Sequence, residues 1–381
     1  MDPLRLLFVV TEDWYFLSHR LPMARAARDL GFDVHVATRV VHGGDAIRAE
    51  GFTVHEIPFA RGRLSPLAAL KAVRAIQKVQ RAIKPVISHH VALQASVLAS
   101  LAAFGRDIVC LNALTGFGYA FTSDEAKARI LRPVLSRVLR ILLAHGDNVA
   151  LVQNPDDFAT LSTLGIPSAR IETIAGSGVD LERFVPSAEP NQPITLGFAG
   201  RLLRDKGVHT LVAAHQLAQG QVPSLRLEIA GEPDHANPTS ISSDVLEEWR
   251  RLPNLTLCGH VPDVSKFWLG IHIAILPSRR EGLPKSLIEA AASGRPMIAT
   301  DVPGCREVVL HEVTGLLVPA DDVGALASAI AHLALSPQLR ERYGQAARSL
   351  AVAKFGAPSI AKQVGALYQR LARSHGRDEG R

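Results

Sequence analysis

The amino-acid sequence predicts an α/β protein with two domains, each a parallel sheet with helices on both faces. Three observations support this class. Short apolar segments alternate with helical ones, the alternation starts twice, and a segment without periodicity separates the two series. The chain has 381 residues, which is enough for two hydrophobic cores.

The first series begins at residue 6. Its strands are predicted at 6–10, 33–37, 53–57, 86–88, 107–111, 149–153 and 171–174. Its helices are predicted at 21–31, 44–51, 65–84, 92–103, 126–142 and 155–164. Strands that alternate with helices in this way run parallel, because each helix carries the chain back to the start of the next strand.

The segment 176–180 and the prolines that follow it are predicted to link the domains. The second series then places strands at 194–199, 225–230, 255–258, 271–276, 297–300 and 315–318. Its helices are predicted at 207–219, 244–251, 322–335 and 337–353, with one more from Pro284 to Gly294. A last helix is expected at 358–372. We therefore predict domains at 1–185 and 186–357, with a C-terminal helix and tail at 358–381.

Composition indicates a globular protein of a reducing compartment. Hydrophobic residues make up 47% of the chain, but no stretch is uniformly apolar over the length of a membrane span. The apolar segment at residues 4–10 meets Thr11, Glu12 and Asp13 at once, which is typical of a buried strand and not of a signal peptide. The cysteines are scattered and odd in number, so neither disulfides nor a zinc site is indicated.

Two predicted helices, 65–84 and 126–142, are basic and amphipathic. In the first, Lys71, Arg74, Lys78 and Arg81 share one stripe, and no acidic residue lies between 61 and 84. The second contains Lys127, Arg129, Arg132, Arg137 and Arg140. Such helices can rest on an anionic membrane surface, although helices packed by their apolar stripe look the same. The stripes lack stacking aromatics, so nucleic acid is not expected as a partner.

The segment from Pro277 to Gly294 predicts a strand end, a loop and a helix. Glu281 lies in the loop, where the N–H groups of Gly282 and Leu283 are expected to donate to an anion. Glu289 lies further along the helix and, as a hydrogen-bond acceptor, suits sugar hydroxyls. A solvated helix carboxylate is the alternative for Glu289. Ligands of open α/β sheets bind at the carboxyl ends of strands, which favours a binding role for Glu281.

The loop that follows strand 194–199 has the character of a diphosphate site. Gly200 and Gly207 allow close backbone approach, and Arg201 and Lys206 supply two positive charges beside a helix N-terminus. The segment contains neither the G-x-G-x-x-G pattern of dinucleotide folds nor a P-loop. A basic loop without a ligand is the alternative interpretation.

Two further loops of the second domain are predicted to end at the same edge of its sheet. Gly231 follows one strand, and His260 and Val261 follow another. We expect these loops to wall the pocket, with Val261 against the base. His260 fits a surface loop better than a catalyst.

A polar and aromatic loop is predicted at 11–20, after the first strand. It carries the candidate acceptor-binding residues Asp13, Trp14, Tyr15, His19 and Arg20. A capping or packing contact is the alternative for Asp13 and His19.

The chain contains no Asp-x-Asp, so no paired carboxylates that would hold Mg²⁺ on a diphosphate are predicted. Arg201, Lys206 and helix dipoles are therefore expected to neutralise the charge of the diphosphate.

Several of these motifs resemble those of the retaining GT-B glycosyltransferases of family four. They are Gly200-Arg201, Lys206-Gly207, the segment from Glu281 to Glu289, and the segments 301–309 and 315–318. Segments 13–20 and 114–118 are similar to a subgroup that extends undecaprenyl-diphosphate-linked saccharides. The resemblance covers nearly the whole chain. It implies two Rossmann-like domains facing a cleft, with the final helix crossing back onto the first domain.

The resemblance also implies residue roles. Arg201 and Lys206 would bind the donor diphosphate, Glu281 the hydroxyls of the donor sugar, and Glu289 the ribose, with Gly282 and Leu283 assisting. Many members of the family carry a histidine in the first-domain loop that here reads Leu114-Thr115-Gly116, and Thr115 takes its place.

The implied reaction is transfer of a hexose or N-acetylhexosamine from a UDP-sugar to a lipid-linked saccharide. The resemblance places it at the inner face of the cytoplasmic membrane, with retention of configuration and without a metal or cofactor. Two other classes stay open. One is a nucleotide-sugar-binding subunit without transfer activity. The other is a GT-B epimerase or phosphorylase, which would turn over the donor without a lipid acceptor.

Overall fold

The computed structural model describes residues 3–60, 65–115, 126–144, 147–234 and 237–378. It divides the chain into two compact units. One contains Met1–Gly178 and Ala357–Arg381, and the other contains Val179–Gly356. Each unit holds one parallel sheet with helices on its faces, so the predicted class is confirmed.

The N-terminal unit contains a seven-stranded sheet in the order β3-β2-β1-β4-β5-β6-β7. Its strands are β1 Arg5–Glu12, β2 Asp33–Arg39, β3 Thr53–Glu56, β4 Ile87–Val91, β5 Val109–Ala113, β6 Asn148–Val152 and β7 Ile171–Thr173. The helices are Asp13–His19, Leu21–Asp29, Gly44–Ala49, Pro66–Ile83, Ala92–Ala103, Ala126–Ala144, Pro155–Thr163 and Ala357–Asp378. The strand order reverses at β1 and β4, and ligands of open α/β sheets bind at the carboxyl side of such a point.

Strand β1 has a hydrophobic core on each side, which explains its unbroken apolar sequence. Leu6 and Phe8 belong to one core, and Leu7 and Val9 to the other. Because successive side chains of a strand point to opposite faces, a strand covered on both faces must be apolar throughout. The final helix, Ala357–Asp378, packs into the first of these cores.

The C-terminal unit contains a six-stranded sheet in the order β10-β9-β8-β11-β12-β13. Its strands are β8 Thr195–Ala199, β9 Arg226–Ala230, β10 Leu255–Gly259, β11 Ile273–Leu276, β12 Met297–Thr300 and β13 Gly315–Val318. The helices are Val208–Ala218, Ser243–Arg250, Val264–Leu269, Lys285–Ala292, Cys305–Val308, Val323–Ala334 and Pro337–Leu350. Pro284 precedes helix Lys285–Ala292 as its N-cap, so that helix begins one residue later than predicted.

The predicted loop at 11–20 is wrong. Strand β1 continues to Glu12, and Asp13–His19 is a helix. The segment contains neither glycine nor proline. Its helical turn buries Phe16 completely and packs its ring edge-on against Phe8, with 5.5 Å between the ring centroids. Burial of this one aromatic side chain favours the helix over a loop.

Strand β4 extends to Val91, three residues beyond its predicted end. Polar side chains interrupt the apolar sequence there, but the structure buries them in mutual hydrogen bonds. The Nδ1 atom of His90 lies 2.9 Å from Oδ1 of Asn112, and its Nε2 atom lies 2.8 Å from Oγ of Ser88. A buried polar group that is hydrogen-bonded is compatible with a core strand.

In the described part of the chain, no helix is long and apolar enough to cross a membrane.

Candidate functional site

Three loops at the carboxyl edge of the C-terminal sheet are joined by backbone hydrogen bonds. The Gly200 N–H donates to the Ala230 carbonyl at 2.9 Å, and the Gly231 N–H donates to the Gly259 carbonyl at 2.7 Å. Gly231 has a φ of +143°, and a Cβ at this position would lie 1.8 Å from the Gly200 carbonyl oxygen. Only glycine allows this approach. The predicted loops after β8, β9 and β10 therefore lie side by side.

Lys206 ends a short 3₁₀ turn that is followed by a second constrained glycine. Gly207 has a φ of +70°, and a Cβ there would lie 1.9 Å from the carbonyl oxygen of Pro277, just after β11. This contact brings the loop after β8 against the loop after β11. The first loop carries Lys206 and the second carries Glu281.

Lys206 and Glu281 form an ion pair, with 2.5 Å between Nζ and Oε1. The same Oε1 atom accepts a hydrogen bond of 2.7 Å from the hydroxyl of Ser278, which is fully buried. The Lys206 side chain is 24% exposed and the Glu281 side chain 10% exposed. The structure thus joins two predicted site residues, and it adds Ser278, whose positioning role the sequence analysis missed.

Arg201 is also held by a carboxylate. Its Nη1 atom lies 2.9 Å from Oδ2 of Asp234, in the loop after β9. The Arg201 side chain is 48% exposed, so a ligand can reach it. Each of the two predicted phosphate-binding cations is therefore paired with a carboxylate. A diphosphate, with more charge than one carboxylate, can exchange for these partners.

The backbone of the Glu281 loop is supported by the segment that follows β12. Gly304 has a φ of +79°, and a Cβ there would lie 2.4 Å from the Gly282 carbonyl oxygen. The next residue, Cys305, is fully buried, and burial together with the nearby Glu281 carboxylate raises the pKa of its thiol. Gly304 belongs to the motif at 301–309, and the structure shows why a glycine is needed there.

Glu289 lies within helix Lys285–Ala292 and is 8% exposed. Burial raises the pKa of its carboxyl, whereas Lys285 and Arg183 oppose that rise. The Lys285 Nζ atom lies 3.5 Å from Glu289 Oε1.

Leu283 precedes helix Lys285–Ala292, and its N–H makes no hydrogen bond to a described residue. His260 is exposed and Val261 half-buried, directly after β10.

In the N-terminal unit, Asp13 has a structural role. Its Oδ2 atom accepts hydrogen bonds from the N–H groups of Val41, His42 and Gly43 at 2.7–2.9 Å. Burial favours the neutral acid, but these bonds and one from the Trp14 N–H outweigh it and lower the pKa of Asp13. The residue is 1% exposed. The packing alternative therefore accounts for Asp13, and the structure does not favour acceptor binding by its side chain.

Three other residues of helix Asp13–His19 pack their rings together. Tyr15 and His19 are stacked, with 4.2 Å between ring centroids and 4° between planes. Trp14 packs edge-on against Tyr15 and is 40% exposed. His19 Nδ1 lies 2.7 Å from the Ser18 hydroxyl. The predicted residues Trp14, Tyr15 and His19 therefore lie together.

Arg20 follows this helix and is buried, with 2% exposure. It lines a narrow recess together with Thr115 and Gln153, which follow β5 and β6. Burial lowers the pKa of Arg20, although the nearby phenols of Tyr15 and Tyr368 act against this. Gln153 was not predicted as a site residue.

Among the described residues, no group of three or more His, Cys, Asp or Glu side chains is placed to hold a metal ion.

Both units match known glycosyltransferase families. Residues 5–154 match the family described as glycosyl transferase 4-like, and residues 193–336 match the family described as glycosyl transferases group 1. The two matches lie one in each unit and together cover most of both sheets. The chain is a glycosyltransferase of the GT-B type.

Individual proteins similar to this chain span nearly its whole length. EpsD of Bacillus subtilis is 26% identical over 96% of each chain. A Campylobacter jejuni enzyme, N,N'-diacetylbacillosaminyl-diphospho-undecaprenol α-1,3-N-acetylgalactosaminyltransferase, is 24% identical over 94% of this chain and 99% of its own. Among solved structures, sucrose-phosphate synthase of Thermosynechococcus elongatus superposes with a TM-score of 0.82 at 22% identity, covering 97% of this chain and 100% of its own. HepE of Anabaena, in complex with UDP and glucose, has a TM-score of 0.77 at 17% identity, covering 96% of this chain and 99% of its own.

Proposed function

We propose that this chain transfers a hexose or N-acetylhexosamine from a UDP-sugar to a saccharide acceptor, in the biosynthesis of a cell-surface polysaccharide or glycan. The observation that carries the proposal is the pairing of Lys206 with Glu281 and of Arg201 with Asp234 at one sheet edge. Two cations held by exchangeable carboxylates suit a diphosphate. The named activity of the C. jejuni relative and the UDP in the HepE structure support the choice of donor.

Different residues bind different parts of the donor. Arg201 and Lys206 exchange their acidic partners for the diphosphate, which frees Glu281 to accept hydrogen bonds from the sugar hydroxyls. The N–H groups of Gly282 and Leu283 assist there. Glu289 accepts hydrogen bonds from the ribose hydroxyls, and Gly200, Gly231, His260 and Val261 form the wall of the nucleotide pocket.

We propose that transfer retains the anomeric configuration and needs no metal. The acceptor hydroxyl attacks the sugar C1 from the face that the diphosphate leaves. The bond from C1 to the phosphate oxygen breaks as the new C–O bond forms, and the hydroxyl proton passes to the leaving phosphate. Arg201 and Lys206 stabilise the negative charge that develops on that phosphate.

A thermal-shift panel tests the donor assignment. We expect UDP-sugars to raise the melting temperature of the purified chain, because a ligand at 100 times its Kd stabilises a folded protein by about 2.7 kcal/mol. UDP alone should give most of the shift, and the shift should be lost in Lys206→Met. If no UDP-sugar in the panel shifts the melting temperature, the donor assignment is wrong.

The acceptor is proposed to be linked to undecaprenyl diphosphate, and the chain to act at the inner face of the cytoplasmic membrane. Helix Pro66–Ile83 supplies the surface for this. Lys71, Arg74, Lys78 and Arg81 are exposed and have no ionic or hydrogen-bond partner among the described residues. Leu67 is 73% exposed and Leu70 is 44% exposed at the start of the same helix. Exposed leucines beside unpaired basic residues are typical of helices that lie on an anionic membrane.

The second basic helix, Ala126–Ala144, adds a smaller surface. Arg137 is exposed, as are Val134 (59%) and Ile141 (46%), which lie three and four residues from it on the same face. Arg140 instead donates to the Leu164 carbonyl. The side chains of Lys127 and Arg129 lie outside the described residues.

Liposome flotation tests the membrane assignment. Reversing the charges of Lys71, Arg74, Lys78 and Arg81 to Glu should reduce binding to phosphatidylglycerol vesicles by more than 100-fold, since each basic residue near an anionic surface contributes about 1 kcal/mol. The matched control reverses the exposed residues Arg226, Arg251, Lys266 and Lys354 of the other unit. Equal loss in both variants, or no loss in the first, would contradict a role for this helix.

A further inference from the structure

A second ion pair joins the two loops that Lys206 and Glu281 already connect. The Nη2 atom of Arg280 lies 2.7 Å from Oδ2 of Asp205. Asp205 directly precedes Lys206 in the chain, and Arg280 directly precedes Glu281. The loop after β8 therefore carries an acid followed by a cation, and the loop after β11 carries a cation followed by an acid. Two neighbouring ion pairs of opposite direction thus connect the loops.

The backbone connects the same two loops at two further points. The Arg279 N–H donates to the Asp205 carbonyl oxygen at 2.9 Å. Gly207 lies so close to the Pro277 carbonyl oxygen that a Cβ would not fit between them. The two ion pairs continue this connection along the loop as far as Glu281, the proposed ligand of the donor sugar.

The proposed binding of the donor opens one of the two ion pairs. The diphosphate displaces Glu281 from Lys206, so that pair no longer joins the loops. The pair of Asp205 with Arg280 contains neither of these residues and stays closed. The Ser278 hydroxyl still holds the Glu281 carboxylate, but Ser278 and Glu281 belong to the same loop. Their hydrogen bond therefore does not tie Glu281 to the loop of Lys206.

We propose that Asp205 and Arg280 are positioning residues, which keep Glu281 at the correct distance from Lys206 after the donor has separated them. The inference rests on the proposed function, in which Lys206 binds the diphosphate and Glu281 binds the sugar. The side chains of Asp205 and Arg280 are 25% and 28% exposed, and ion pairs with this much access to water contribute little to stability. A displacement of about 1 Å in an active site can nevertheless slow a reaction by about 100-fold.

Steady-state kinetics of the full chain test the positioning role. The donors are UDP-glucose and UDP-N-acetylgalactosamine, and the acceptor is an undecaprenyl-diphosphate-linked disaccharide. We expect Asp205→Asn and Arg280→Gln each to lower the kcat/KM for the donor by about tenfold or more. Because each residue acts through the other, the double variant should lose no more than either single variant. Arg280→Lys should recover most of the activity, since lysine can still pair with Asp205.

Arg279→Gln is the matched control. Arg279 is the neighbour of Arg280, and its Nε atom lies 2.9 Å from Oδ1 of Asp321, in the loop after β13. The substitution breaks an ion pair with a different loop and leaves the backbone hydrogen bond to Asp205 intact. Its kcat/KM should equal that of the wild type. None of these variants should shift the melting temperature by more than about 3 °C, because all of the ion pairs are partly exposed.

Calorimetric titration with UDP separates a positioning role from direct contact with the donor. UDP carries no sugar, and the double variant keeps the net charge of the site, so its Kd for UDP should equal that of the wild type. If Arg280 itself binds the diphosphate, Arg280→Gln should weaken UDP binding by about tenfold or more, and Asp205→Asn should strengthen it. That result would overturn the inference.

The remaining outcomes separate this inference from the proposed function. Normal transfer by the wild type together with unchanged kcat/KM in Arg280→Gln, additive losses in the double variant, or an equal loss in Arg279→Gln refutes the positioning role alone. A wild type that neither binds UDP nor transfers sugar refutes the proposed function and this inference with it. If the wild type binds UDP but transfers neither sugar, the Kd values for the two UDP-sugars decide, since the variants should weaken these and leave the Kd for UDP unchanged.

Discussion

Glu281→Gln should lower transfer by about 100-fold or more, which corresponds to about 2.7 kcal/mol of transition-state stabilisation. The same variant should bind UDP at least as tightly as the wild type. The Glu281 Oε1 atom lies 2.5 Å from the Lys206 Nζ atom, so the donor diphosphate must displace this carboxylate to reach the lysine. Glutamine cannot form that ion pair, which leaves Lys206 free for phosphate, but it binds the sugar hydroxyls less well than a carboxylate.

The measurements are the kcat/KM for the UDP-sugar and the calorimetric Kd for UDP. Glu248→Gln is the matched control, because Glu248 is exposed on helix Ser243–Arg250 of the same unit. Lys206→Met should instead lose both UDP binding and transfer. Weaker UDP binding in Glu281→Gln would contradict the exchange of partners proposed for Lys206.

Gly231→Ala should destabilise the C-terminal unit by about 3–5 kcal/mol and abolish UDP binding. The added Cβ would lie 1.8 Å from the Gly200 carbonyl oxygen, and its neighbours are backbone atoms that cannot rotate away. Relief of this overlap separates the loops after β8 and β9, which carry Arg201 and Asp234. The midpoint of urea unfolding and the Kd for UDP measure the two effects.

Gly259→Ala is the control for this substitution. Gly259 also has a positive φ, +65°, but nothing lies within 4 Å of the added Cβ. It should therefore cost only the strain of a left-handed residue, about 1–2 kcal/mol, and UDP binding should persist. Similar losses in both variants would mean that backbone strain, and not the contact between loops, is what the glycine at 231 relieves.

The sequence predicts the sheets well because their strands are apolar on both faces. It fails where polar side chains are buried in pairs, as with His90 and Asn112 in β4 and β5, since their partners belong to different strands. It also fails at Asp13, where the carboxylate binds backbone N–H groups about thirty residues away. No local pattern reveals such contacts.

The candidate donor site follows the same rule. Arg201, Lys206 and Glu281 are recognisable from loop position and charge, but their pairing depends on how close the loops approach. Gly207 and Gly231 set that approach through backbone contacts with Pro277 and Gly200. Ser278 and Asp234 complete the pairs. Gly304, in contrast, belongs to a motif that the sequence shows, but only the structure explains why that position requires a glycine.

The most direct test of the account is the anomeric configuration of a product made by the purified chain. The chain is incubated with an α-linked UDP-sugar and an undecaprenyl-diphosphate-linked saccharide, and the new linkage is determined by proton NMR. We expect an α-linked product from the wild type, and we expect Glu281→Gln to form it at least about 100-fold more slowly. A β-linked product, or hydrolysis or epimerisation of the donor without transfer, would contradict it.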